Sequence, residues 1–206
     1  MNLAARLLKL MLGLILFGVG IWLGLQADLG VGPWDVLHGG LAHKLGTPFG
    51  RTSIGVSVIV FVIGLLARVR PGIGTVANVF VIGAVIDLLL GSSLLDGVAG
   101  GPLALRLLTT AGGIASVAVG SALYLGAHLG PGPRDGLMLA IHARTGWSVG
   151  AARAALELSV LVIGVLLGGP VGIGTLAFAL GIGPAVQVAF RVLRQVPVRR
   201  TVEVPL

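Results

Sequence analysis

Apolar positions in this chain come in long unbroken runs. They show neither the alternation of a half-buried strand nor the one-sided stripe of a soluble helix. Runs at about residues 5–26, 51–68, 73–91, 105–126, 151–168 and 173–193 are each roughly 17 to 24 residues long, enough to cross about 30 Å of hydrocarbon as a helix. Between the first and second run of each half lies a shorter segment, 33–45 and 133–145. A helix of about 12 residues reaches about 18 Å at 1.5 Å per residue, too short to cross, so these two are read as re-entrant or interfacial. The pattern predicts an all-α polytopic membrane protein with six transmembrane helices.

The punctuation between the runs is duplicated. Shifting the chain by one hundred positions lays Leu3–Gly83 on Leu103–Gly183 without a gap. Gly30, Gly32, Pro33 and Asp35 fall on Gly130, Gly132, Pro133 and Asp135, and the Gly72–Thr75 sequence GIGT recurs at Gly172–Thr175. Shared apolar composition gives scattered matches but not a register kept through turn residues, so the chain reads as two repeats, 1–100 and 101–200, with a cytoplasmic tail at 201–206. Three crossings per repeat leave the second upside down relative to the first. Equivalent loops carry opposite charge: Arg68 and Arg70 against Gly168, Gly169 and Pro170, and Asp96 against Arg191, Arg194, Arg199 and Arg200. The positive-inside rule produces that contrast in inverted repeats. A 3+3 inverted repeat follows, both termini cytoplasmic.

Composition agrees. Of 206 residues 56% are hydrophobic and 10% charged, with mean hydropathy +1.07. The 35 glycines, at spacings such as Gly20/Gly24 and Gly164/Gly168, suit helices that approach closely in lipid and offer a generic face for a homo-oligomer. The formal charge of +7 is read as cationic cytoplasmic ends and not as a nucleic-acid site. There is no cysteine, which excludes disulfides and thiolate chemistry. The first run follows Arg6 and Lys9 but has no small-x-small cleavage site and aligns with the internal segment Leu103–Gly126, so it is read as a retained helix rather than a signal peptide.

Candidate chemistry concentrates in the recurring turns. In GxGPxD the second glycine takes the N-cap, proline the first helical position and Asp35 or Asp135 the third, near the positive end of the dipole. That is a sufficient structural reason for the motif; at membrane depth it is also a polar site for a solute or ion. Arg134, which replaces Trp34, puts a guanidinium beside such a helix start, favouring an anion or a cytoplasmic anchor. Thr75 and Thr175 open further helices as caps. Asp87 and its repeat partner Gln187 form a polar position within apolar helices, where a charge needs a reason. Glu157 stands four residues after Arg153, a spacing for a neutralising pair, with proton binding as its other use. Trp22, Trp34 and Trp147 are read as interfacial anchors. His38, His43, His128 and His142 lack metal-ligand spacing, so no metal or other cofactor is expected. No Walker A sequence, GxSxG or nucleophile with a base supports an enzyme.

At LGVGPWDVLHGGLA, followed by the glycine-rich helix, the PGIGT turn and Ile82-Gly83, the chain resembles the bacterial YczE/YyaS/YitT family of integral membrane proteins over about residues 3–190. The likeness is closest to the YczE-like branch, without the soluble C-terminal domain of many YitT-like members. The resemblance implies a bacterial plasma-membrane protein and supplies neither substrate nor catalytic residues. The leading expectation is a secondary transporter or exporter of a small solute, with Asp35, Asp135, Arg134, Thr75, Thr175, Asp87 and Gln187 as candidate site and Glu157 as candidate proton carrier. The rival is a non-transporting scaffold or accessory protein for a partner enzyme or assembly.

Overall fold

The computed structural model describes residues 2–194; Arg199, Arg200 and the tail 201–206 lie outside them. Among the described residues there are eight helices and no strand: α1 (Leu3–Ala27), α2 (Pro33–Leu45), α3 (Phe49–Leu66), α4 (Ile73–Leu90), α5 (Leu103–Leu125), α6 (Pro133–Thr145), α7 (Val149–Leu166) and α8 (Ile173–Val192). Helices α1, α3, α4, α5 and α8 are long and apolar enough to cross a membrane. The protein is a polytopic helical membrane protein. The sequence reading had six such helices; the sixth is α7, 18 residues with Arg153 and Glu157 in its first half.

Each short helix starts as its turn dictates. Gly32 and Gly132 are extended N-caps, Pro33 and Pro133 occupy the first turn where no N–H is needed, and both helices end on a left-handed glycine, Gly46 or Gly146. Helices α3 and α7 begin two residues earlier than their apolar runs, because Pro48 and Ser148 set the N-caps in the extended conformation.

Helices α1 and α5 form the spine. Their approach is so close that a Cβ on Gly20 would stand 2.6 Å from the Gly113 carbonyl oxygen, and one on Gly120 2.6 Å from that of Gly13. In lipid, where water does not drive helices together, such contact is what holds them. The two run antiparallel. The Arg6 guanidinium, near the start of α1, donates to the carbonyls of Ala127 and His128 at the end of α5, and Arg106, near the start of α5, donates to those of Ala27 and Asp28 at the end of α1. Each arginine thus satisfies carbonyls that a helix end leaves without partners.

Helix α4 packs on α1 and α8 on α5; α2 packs on α7 and α6 on α3. The largest buried cluster joins Leu10, Leu14 and Ile21 of α1 with Val117 and Tyr124 of α5, Ile82 and Ile86 of α4 and Ile182 of α8. Leu66, Leu88 and Leu166 are more than three-quarters exposed, as a lipid-facing rim permits. Two tryptophans depart from the interfacial expectation. Trp22 and Trp34 are buried, the latter against Val60 and Val160, because α1 and α2 turn those faces inward; Trp147 alone of the three is exposed.

Candidate functional site

The recurring motifs fold against each other across the two halves. Gly174 N–H donates to Leu29 O at 2.6 Å and Gly74 N–H to Leu129 O at 2.7 Å, so each GIGT segment grips the opposite GxGPxD turn. Gly30 and Gly130, at φ +95° and +113°, leave no room for a Cβ at these crossings. The Thr75 hydroxyl accepts from Gly72 N–H and donates to Pro131 O at 2.7 Å, while Thr175 accepts from Gly172 N–H. The threonines therefore fix the turns; they do not line the cavity between the starts of α2 and α6.

Beyond those grips the chain moves inward. Gly72 and Gly74 at the start of α4 meet Leu129 and Gly130, but Gly132 meets Asn78, a turn further along α4; Gly32 likewise meets Phe178 of α8. The starts of α2 and α6 thus enter the interior and flank a cavity of about 130 Å³. Asp35, Arg134, Asp135 and Glu157 all line it, with Tyr124, Arg153 and Asn78.

Arg134 crosses the cavity. Its guanidinium carbon lies 4.8 Å from the centre of the Trp34 ring, the residue that holds its own place in the other half. One nitrogen stands 3.5 Å from His38 Nε2. Guanidinium has only donors, so Nε2 is the acceptor, the neutral ring carries its proton on Nδ1, and Nδ1 faces Asp35 Oδ1 at 3.4 Å. Asp35 and His38 are buried at 4% and 0% exposure, yet among the described residues neither Oδ1 nor Nδ1 has a partner in hydrogen-bond geometry. Oxygen and nitrogen left this way lose water without replacement, a condition that a proton, water or ligand relieves. On the other side the Tyr124 hydroxyl donates to Asp135 Oδ2, and Arg153 Nε donates to Glu157 Oε1 at 2.8 Å.

Asp87 and Gln187 sit elsewhere. The Asp87 carboxylate accepts from Gly50 N–H at 2.6 Å and Arg51 N–H at 2.9 Å, capping the start of α3 from α4. Gln187 is exposed on α8. Of the residues singled out from sequence, Asp35, Arg134, Asp135 and Glu157 come together, whereas Thr75, Thr175, Asp87 and Gln187 hold or border the frame.

Tyr124, His38 and Asn78 were not singled out as site residues. Each marks a departure between the halves, Tyr124 against Gly24, His38 against Met138 and Asn78 against Phe178, and Tyr124 is the single tyrosine of the chain. A polar residue replacing a glycine or apolar one in an otherwise apolar helix is the signal that could have found them.

The profile of a family of unknown function, DUF6198, matches residues 4–191. The chain belongs to this family. It is 38% identical over 190 residues to an uncharacterised protein of Haemophilus influenzae, covering 91% of this chain and 84% of that one. It is 34% identical to the uncharacterised membrane protein YczE of Bacillus subtilis (82% and 77% covered), and 30% identical to the uncharacterised protein YyaS of the same organism (80% and 82% covered). No solved structure matches significantly. The DUF6198 match spans both GxGPxD turns and so the entire cavity; the chemistry of that cavity has to come from its own residues.

Proposed function

We propose that this DUF6198 protein is a secondary transporter of a small solute in the bacterial plasma membrane, built as a 3+3 inverted repeat with α2 and α6 as re-entrant half-helices. The observation that carries the reading is the meeting of both helix starts around one polar cavity, with Arg134 reaching from one half onto Trp34 and His38 of the other. Discontinuous helices whose N-termini face a shared site between inverted repeats are the usual place for substrate and coupling ion in such carriers. The antiparallel run of α1 and α5, repeat equivalents, supports inversion. With Arg68, Arg70, Arg191 and Arg194 gathered at the end where α1 begins, that end is the cytoplasmic one.

In this reading Arg134 and the two dipole ends take the anionic group of a solute, and Asp35 is the group that gains or loses the coupling proton. Asp35 is favoured over His38, because a protonated imidazole would face the Arg134 guanidinium. The purified protein in proteoliposomes is tested by counterflow over a panel of small carboxylates, amino acids and phosphate esters. Flux of one class is expected, lost in Arg134→Ala and uncoupled from the pH gradient in Asp35→Asn. Flux unaltered by both substitutions would refute the site, and no flux for any class, with a stable stoichiometric partner protein instead, would favour the scaffold reading.

A further inference from the structure

The two halves differ at one seam. On α3 and α4 the backbones touch at Gly50 and Gly83: a Cβ on Gly83 would lie 2.5 Å from Gly50 O and 2.6 Å from Ile54 Cγ1, and Asp87 clasps the first N–H groups of α3. The equivalent helices α7 and α8 make no such contact at the matching glycines among the described residues. Gly150 and Gly183 hold the matching positions, and among the described residues a Cβ on either would meet no other helix within 4 Å. Gln187, matching Asp87, is exposed. Gly150 is in the first turn of α7 and Gly183 directly precedes Pro184 within α8, whose ring crowds a Cβ there; among the described residues neither glycine has a packing contact with another helix that requires it.

The seams lie at opposite ends of the molecule. Helix α4 starts beside Leu129 and Gly130, at the end of α5 and thus at the end where α1 begins; Gly83 and Asp87 are in its far half. Helix α8 starts beside Leu29 and Gly30 at the end of α1, so Gly183 and Gln187 are on the side where α1 begins. Between the open helices stand cavity-lining residues from both, Arg153 and Glu157 on α7, Ile182 and Val186 on α8. From the α3–α4 pair the cavity takes, among the described residues, only Asn78 and Ile82 of α4.

We propose that these seams are the two gates of the cavity and that they exchange: in a second conformation α7 and α8 close on Gly150 and Gly183, with the Gln187 amide oxygen accepting from Gly150 N–H, beside the Ala151 N–H that Ser148 Oγ caps, while Asp87 lets go of α3 and the first seam opens. The inference rests on the transporter reading and names its moving parts. The glycines of the open seam leave room for the close contact of that second conformation. Replacing the carboxylate by an amide makes the second clasp weaker, because a hydrogen bond to a charged acceptor is about twice as strong as a neutral one. The resting conformation is therefore the one with the Asp87 clasp made.

The chain has no cysteine, so introduced thiols report alone. Ala151 and Gln187 match Arg51 and Asp87, and both are exposed. In membranes, Ala151→Cys/Gln187→Cys is expected to be joined by a short bismaleimide. Adding Gly183→Leu, whose Cβ meets no other helix within 4 Å in the open seam but would meet backbone in a closed one, is expected to cut that cross-link at least tenfold while both thiols still react with a monofunctional maleimide. Separately, Gly183→Leu is expected to slow maleimide labelling of Ile54→Cys, because the first seam then stays shut. Absence of the cross-link, a cross-link indifferent to Gly183→Leu, or unchanged labelling of Ile54→Cys would each overturn the exchange. None of these readouts needs a solute. Cross-linking as expected without flux of any solute would strike the transporter reading and leave the gates standing; flux without cross-linking would strike the gates alone.

Discussion

Asp87→Asn should loosen the α3–α4 seam without unfolding the protein. The carboxylate accepts two backbone N–H groups at the start of α3, at 2.6 and 2.9 Å. The amide keeps one accepting oxygen and turns a donor toward the other N–H. Hydrogen bonds to charged groups contribute about 1.5–3 kcal/mol and neutral ones about 1, and a negative charge at a helix start adds about 0.3–1. Because Asp87 is half-buried and near a helix end, the low side of these ranges applies, giving a loss of about 2 kcal/mol. That is roughly a 30-fold rise in the open fraction of the seam. The assay is the maleimide labelling rate of Ile54→Cys, whose side chain packs toward Gly83 in the closed seam. When opening and closing are fast compared with labelling, the rate follows the open fraction. An increase of about an order of magnitude or more is expected with Asp87→Asn. Gln187→Ala removes the clasp made only when this seam is open, a neutral hydrogen bond worth about 1 kcal/mol, and should lower the rate by about fivefold. Equal rates in the Asp87→Asn and native backgrounds would refute the reasoning that this carboxylate holds the seam.

Two further predictions follow from the spine. Gly20→Ala and Gly120→Ala should each lower resistance to unfolding in SDS titration by about 2 kcal/mol, since the added carbon meets backbone on α5 or α1 at 2.6 Å. Gly55→Ala and Gly112→Ala, which have nothing within 4 Å, should be neutral or gain up to about 1 kcal/mol, and equal effects in both pairs would be contrary to the close approach. Arg106→Ala should cost about 2 kcal/mol in the same titration, Arg106→Lys less, because the guanidinium reaches two carbonyls at the end of α1 at once.

The helices were legible because lipid-crossing segments need long apolar runs, and the two short ones because glycine, proline and aspartate fix a helix start regardless of context. Helices α2 and α6 accordingly begin and end where their turns place them. Tertiary partners were less legible. Asp87 stands in an apolar helix and invited a role in the cavity, but its position one hundred residues from Gln187 says nothing of the α3 start it clasps. Trp34 carried an amphipathic ring that suits an interface, and only the inward turn of α2 shows that it faces Arg134 instead. Arg6 and Arg106 stand at the starts of the first and fourth apolar runs; that each reaches the carbonyls of the opposite spine helix depends on α1 and α5 lying side by side for their whole length. The difference between a closed and an open seam is invisible in sequence, since both keep the same glycines.

The central claim, two inverted halves around one cavity, is tested most directly by single cysteines at Asn2 and Ser93 in intact cells. With a membrane-impermeant maleimide, Ser93→Cys, in the segment between α4 and α5, is predicted to label from outside, and Asn2→Cys only after the cells are broken. Both labelling from the same side would contradict the account.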